Sequence, residues 1–386
     1  MPQIWFDPGA LAVSCGPVTV TLLAKEYALL KFLYDRRGQV FARAQLLDHV
    51  WPSQYPDERT VDDHVYRIRR KLVRLPQLAV VTVRGYGYSL RMTGGAEMRN
   101  PSVQDEETRT SVQGLFRKYH LFGQGRSILT LAAQQDALGI EVDAFYAVYM
   151  RFIQGDLAWL LDTGEAPPAD RVYWVLLLYA YAAGPQAGLA MFERALALDV
   201  VTPEQKRELY ILNIIDLYAD SGQFERAEER LSIAREVVDR DGLTGFPVPV
   251  ATAEFYVRVA KGDLAAAERS MGELEEMLRD APYLREIGRY HLVRAMFLLR
   301  SGKPKEASQA VDAGLQVVRQ SQNVPLLLVS LKQLRLCLDR VRSVGRDAGR
   351  GALERKLDEL EDELEREHGF NRRLADMEAM LDRYLS

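Results

Sequence analysis

Hydrophobic and polar positions follow two different rhythms along this chain. Near the N-terminus short β-type runs come first, Ile4-Trp5-Phe6, Leu11-Ala12-Val13 and Val18-Thr19-Val20, separated by the turn pairs Pro8-Gly9 and Gly16-Pro17. They predict a small antiparallel sheet. From Ala24 to Arg36 the period becomes helical, with Tyr27, Leu30 and Leu33/Tyr34 on one face and Gly38 beyond its end. A second helix, about Arg43 to Trp51, has Leu46, Leu47 and Val50 to bury and Pro52 to stop it. In a third, about Arg59 to Leu75, Val61, Val65, Ile68 and Leu72 form one apolar stripe, while His64, Arg67, Arg70 and Lys71 lie elsewhere on the cylinder. After Pro76, the runs Val80 to Val83 and Tyr86 to Leu90 predict a hairpin with Arg84 at its tip. A basic helix followed by a basic hairpin predicts a winged helix-turn-helix of α+β class over residues 1–92.

Residues 93–107 carry Gly, Pro, Ser and mixed charge without an apolar period, and read as a linker. Beyond it the period is helical to the end, which predicts an all-α body. Gly222, Gly262 and Gly302 recur every 40 residues, each followed five residues later by Ala227, Ala267 or Ala307. Glycine turns the chain there and alanine lets two helices approach. A degenerate copy surrounds Gly184. The repeat resembles a lengthened tetratricopeptide unit, which predicts a helical-repeat solenoid over residues 108–342 with a concave groove. Alignment on the glycines turns Leu212, Asp216, Tyr256, Arg289, Leu292 and Met296 toward that groove, with Asn213 beside it. An Asn there either grips a ligand backbone or is satisfied by a neighbouring helix. In the last segment, 352–386, Leu353, Leu357, Leu360 and Leu364 have heptad spacing, and Leu374, Met377, Leu381 and Tyr384 resume it in a shifted phase. These helices either dimerise the protein or cap the repeats.

Composition narrows the possibilities. With 386 residues, 48% hydrophobic and 27% charged, the chain suits two or three globular domains. Its net charge of −4 conceals an asymmetry: residues 1–92 hold 13 Lys/Arg against 8 Asp/Glu, and the remainder holds 37 against 46. A basic module on an acidic body suits a nucleic-acid reader joined to something else. The longest apolar run, Val172 to Ala183, falls short of the ~20 residues of a membrane span. No basic, apolar leader opens the chain, so a cytoplasmic protein with no membrane contact is expected. Cys15 and Cys337 are expected to be structural, and neither a metal site nor a cofactor is expected, because no His/Cys ligand spacing or phosphate-cradling glycine motif is present.

Residues 1–92 resemble the OmpR/PhoB family of winged-helix DNA readers in four ordered blocks. These are Lys25 to Leu30, Leu46-Leu47-x-x-Val50-Trp51, Arg59 to Leu72, and Thr82-Val83-Arg84-Gly85-Tyr86-Gly87-Tyr88. The resemblance implies that the third helix enters the major groove of double-stranded DNA and the wing reaches the minor groove, with dimers on direct repeats. It makes Arg67 the main base reader, places Thr60 and His64 near the helix start with Arg59, and sends Arg84 into the minor groove. Arg70 and Lys71 become phosphate contacts or solvated charges, and Arg69 is expected to pair with a carboxylate inside the domain. The chain departs from the family at Leu23, where a Thr helix cap is usual, at Asp63 and at Tyr66. Asp63 either accepts from cytosine N4 or is a charge favoured by the helix dipole. No receiver domain precedes the reader, so phosphorylation control is not expected. The layout resembles actinobacterial antibiotic regulators and HilA-like activators. It implies a one-component regulator whose body senses a peptide or small molecule, or alternatively a scaffold that oligomerises or recruits RNA polymerase. An enzyme is not expected.

Overall fold

The computed structural model describes residues 4–52, 57–83, 86–92, 101–198, 200–342 and 351–385. Its contacts group the chain into two units, residues 1–115 with 129–143, and residues 116–128 with 144–386.

In the first unit, strands β1 (Ile4–Asp7), β2 (Ala12–Cys15) and β3 (Val18–Thr21) form an antiparallel sheet in sequential order. Helices α1 (Ala24–Asp35), α2 (Arg43–Val50) and α3 (Arg59–Leu72) follow. The chain enters α1 through half of a capping box: the Leu23 N–H donates to the Glu26 carboxylate at 2.9 Å, and leucine has no hydroxyl to return the bond. A second sheet has the order β4-β6-β5, with β4 at Phe41–Ala42, β5 at Leu78–Val83 and β6 at Gly87–Met92. The two-residue β4 carries no periodicity and is absent from the sequence expectation. Gly87 makes its pairing possible, because a Cβ at this position would stand 2.0 Å from the Phe41 carbonyl oxygen. Leu29, Leu30 and Leu33 of α1 meet Leu46, Val61, Ile68 and Leu90 in the core, where all seven are fully buried. The apolar stripe read from α3 is therefore the face that packs.

The expected linker differs from the structure in part. Residues 93–100 lie outside the described residues, but Pro101–Gln104 and Glu106–Leu121 are helical. Residues 129–143 belong to the first unit as well; there Gln134 Nε2 donates to the Val40 carbonyl at 3.1 Å and Arg91 pairs with Asp136 at 3.0 Å.

The second unit is built of helical hairpins. Pro168–Ala182 with Pro185–Ala197, the run Pro203 to Asp220 with Phe224–Arg240, Pro247–Lys261 with Leu264–Asp280, and Leu284–Arg300 with Pro304–Ser321 each turn at a glycine. Gly184, Gly222, Gly262 and Gly302 have φ of +91°, +77°, +92° and +77°, a backbone region that side-chain-bearing residues rarely enter. Ala227, Ala267 and Ala307 are fully buried, as close helix approach requires. Every residue from Val172 to Ala180 is buried, so this apolar run is a core helix. Leu353, Leu357, Leu360 and Leu364 of Gly351–His368 are buried within the chain, where this helix packs on Val324–Arg342. Leu374–Tyr384 packs on Pro168–Ala182, held by ion pairs Arg194–Asp382 and Arg373–Asp162 at 2.5 and 2.7 Å. The heptad leucines are thus buried against helices of the same chain. Val324–Arg342 also packs on Pro168–Ala182, so the last of these helices meets the first and the expected concave groove becomes a partly open cavity.

Candidate functional site

On α3 each residue advances the direction by 100°. Arg59, Asp63, Tyr66, Arg67 and Arg70 fall within an arc of about 100° and are exposed, opposite the buried stripe. Among the described residues Arg67 has no carboxylate partner, and the Arg70 guanidinium lies 5.9 Å from the Tyr66 ring centre. This face combines charge, a planar donor group and an aromatic ring. Arg84 lies outside the described residues.

The remaining expected DNA contacts sit on the shoulder of the helix. His64 Nδ1 lies 2.7 Å from the Thr60 carbonyl, and its ring meets Trp51 edge-on at 5.0 Å; Thr60 and His64 are both half-buried. Lys71 is already paired: its Nζ lies 2.5 Å from Glu26, which is 1% exposed, while the Lys71 side chain itself is 34% exposed. Burial raises the Glu26 pKa, but the Leu23 N–H and Lys71 outweigh it and hold the carboxyl below its ordinary value. Arg69 takes no carboxylate. Its Nε donates to the Val80 carbonyl at 2.9 Å and its Nη2 to Thr82 Oγ1 at 2.7 Å, which fastens α3 to β5. Asp62 is bonded instead by Arg43 Nε and the Tyr88 hydroxyl, both at 2.7 Å.

The second unit holds a partly open cavity of 430 Å³, within the roughly 300–1,000 Å³ of small-molecule sites. Of the expected groove residues, Leu212, Asn213, Asp216 and Arg289 line it. Tyr256, Leu292 and Met296 do not. Pro247–Lys261, which carries Tyr256, contributes nothing to the lining, and the Tyr256 hydroxyl is spent on Asp220. Leu292 lies against Gly314, Met296 is in the core, and all three are 2% exposed or less. Alignment on the turns supplies a position along each helix, but the direction depends on how successive hairpins are rotated.

Sequence reasoning missed most of the cavity wall. One side is aromatic: Tyr149, Phe152 and Trp174 with ring centres 4.8–6.4 Å apart, joined by Phe145, Tyr173 and Tyr181. His120 stacks on Tyr149 at 4.2 Å, and burial, with Arg285 nearby, pushes its pKa down to about 3. The other side is charged. Arg285 Nε donates to Glu286 Oε1 at 3.1 Å, while Asp216 Oδ2 accepts from Arg289 and, at 3.2 Å, from Gln333. Asp216 Oδ1 and Glu286 Oε2 are buried with no hydrogen-bond partner. Glu208 faces the Tyr173 hydroxyl, and burial raises its pKa against the pull of Arg285. Between Glu208 and Asp216 the helix takes one π-helical turn, Leu209–Asn213, in which the Ile214 N–H reaches back to the Leu209 carbonyl. Such turns cluster at functional sites. The available sequence signal was charge in otherwise buried helices: Arg285, Glu286 and Arg289 interrupt a run headed for the interior. Among the described residues no three His, Cys, Asp or Glu side chains gather as a metal set, and no helix is long and apolar enough to cross a membrane.

Residues 18–90 match the family model described as "Transcriptional regulatory protein, C terminal". The transcriptional regulatory protein VxrB of Vibrio cholerae is 46% identical over 90 residues, 23% of this chain and 36% of that protein. The sensory transduction protein RegX3 of Mycobacterium tuberculosis is 46% identical over 81 residues, 20% of this chain and 36% of its own length. The phosphate regulon regulator PhoB of Rhizobium meliloti is 51% identical over 74 residues, 18% of this chain and 32% of that protein. The chain thus spans about a third of the length of the curated relatives it matches. The DNA-binding domain of the response regulator AdeR, solved with an intercistronic region, is 31% identical and aligns over 24% of this chain and 96% of its own, with a TM-score of 0.22. With its three-helix core, β4-β6-β5 wing sheet and exposed α3 face, the N-terminal part of this chain is an OmpR/PhoB-type winged-helix domain.

Proposed function

We propose that this chain is a one-component, sequence-specific DNA-binding transcriptional regulator whose helical unit takes a small ligand. The observation that carries the DNA reading is the α3 face: Arg59, Asp63, Tyr66, Arg67 and Arg70 stand together in solvent, opposite a buried stripe that fixes the helix. In the major groove a guanidinium at Arg67 grips guanine O6 and N7, Asp63 accepts from cytosine, and Arg70 meets phosphate. Arg84, at the wing tip, is the minor-groove contact. His64 and Lys71, tied to Thr60 and Glu26, support the helix rather than read bases. A small ligand suits the second unit better than an extended peptide, because helices from both ends of the array meet around a cavity of only 430 Å³.

Selection of bound duplexes from a random library tests the DNA reading. The full chain is expected to enrich one motif, and Arg67→Ala to lose about 1–3 kcal/mol of discrimination at one base pair. If Arg67→Ala keeps both affinity and preference, α3 is not read this way.

A further inference from the structure

We infer that the cavity of the helical unit is a site for an organic ammonium ion with an aromatic or bulky apolar body; this rests on the ligand-sensing reading of that unit. Four acids line the space, Glu204, Glu208, Asp216 and Glu286, against two bases, Arg285 and Arg289, while burial keeps His120 neutral. Both bases are already answered, Arg285 by Glu286 and Arg289 by Asp216. An incoming anion would compete with these carboxylates for the same guanidinium groups. Acceptors outnumber donors: Asp216 Oδ1 and Glu286 Oε2 have no donor, against one unpartnered donor on the same lining, Asn213 Nδ2, and Glu286 is 3% exposed. A buried acceptor without a donor is costly, and a ligand N–H supplies what is missing.

The opposite wall selects the rest of the ligand. Phe152 and Trp174 line it beside Tyr149, whose ring is covered by His120; aromatic side chains at the wall attract a cation, and their apolar area holds its body. Glu208, four residues before Leu212 on the π-distorted helix, lines the same space and faces the Tyr173 hydroxyl, and it is the counter-ion for the ammonium. An aromatic face and unpaired carboxylate oxygens together favour a cation over a neutral molecule of equal shape, and a neutral molecule over an anion.

Titration calorimetry on the full chain with three probes of one shape tests this order: tryptamine (ammonium), tryptophol (neutral) and indole-3-propionate (anion). Tryptamine is expected to bind at least tenfold more tightly than tryptophol, with indole-3-propionate weakest. Glu208→Gln, checked for an unchanged helical circular-dichroism spectrum, is expected to bring the tryptamine to tryptophol ratio close to one. The wild-type ratio stands alone if that variant does not fold. Equal affinities, preference for the anion, or no heat from either tryptamine or benzyltrimethylammonium at millimolar concentration overturns the ammonium assignment. Fluorescence anisotropy with the selected duplex separates this from the regulatory reading. Tryptamine binding that leaves DNA affinity unchanged upholds the site and overturns the sensor role, whereas an anion that shifts DNA affinity does the reverse.

Discussion

Asp220 shows how much one half-buried acid shapes this protein. It takes a hydrogen bond from Tyr256 and is pushed up to about 7 by burial and by neighbouring Asp216, against the pull of that bond, Arg340 and Arg289. In the unfolded chain the same acid ionises near its ordinary value. Between roughly pH 4 and pH 7 the unfolded state therefore loses a proton that the folded state retains, and stability falls as pH rises through this window. Above pH 7 the difference is constant. Asp220→Asn keeps a carbonyl oxygen for the Tyr256 hydroxyl and carries no charge to desolvate. It is expected to match the parent protein near pH 4 and to exceed it by roughly 2–4 kcal/mol at pH 8, at 1.36 kcal/mol for each pKa unit. Urea unfolding of both proteins at the two pH values checks this; a gain independent of pH would assign the effect to packing.

At the scale of the element, α3 separates two cations that look alike in sequence. Arg70 is exposed on the reading face, whereas Lys71 is committed to the buried Glu26. Arg70→Ala is expected to lower the slope of log affinity against log salt by about 0.9. Lys71→Ala is expected to leave that slope nearly unchanged and instead to cost roughly 1–3 kcal/mol of stability, because Glu26 stays buried without its partner. Anisotropy titrations at several salt concentrations, with thermal unfolding of the same variants, distinguish the two; equal losses of slope would show that Lys71 leaves Glu26 for DNA. The buried side of α3 was legible beforehand because Val61, Val65, Ile68 and Leu72 declare themselves by spacing within one helix. The fate of Lys71 was not, since its partner is 45 residues away. The short strand β4 was hidden for a related reason: its only sign is a glycine on the strand it pairs with. In the helical unit, Gly222, Gly262 and Gly302 located the turns, but no spacing indicates which faces of six helices converge. Thus Asp216 and Arg289 were found while Glu208, Arg285 and the aromatic wall were not.

At the scale of the whole molecule, the two units are joined by the chain at residues 115–116, 128–129 and 143–144. The first two crossings lie inside continuous helices, Glu106–Leu121 and Gly125–Ala133. A ligand in the second unit can alter DNA binding in the first only if it favours one arrangement of these connections over another, and the coupling must then be reciprocal. Whatever factor tryptamine applies to DNA affinity, the duplex must apply to tryptamine affinity. Gly114 stands directly before the first crossing, and a Cβ there would meet no atom within 4 Å. A glycine inside a helix weakens it by roughly 0.5–1 kcal/mol relative to alanine, so Gly114→Ala is expected to gain that amount and to stiffen the connection. If coupling travels along this helix, the variant raises the factor by which tryptamine changes DNA affinity, and by the same factor in the reverse titration. A gain in stability with an unchanged coupling factor would move the route to the helix Gly125–Ala133, where the second crossing lies.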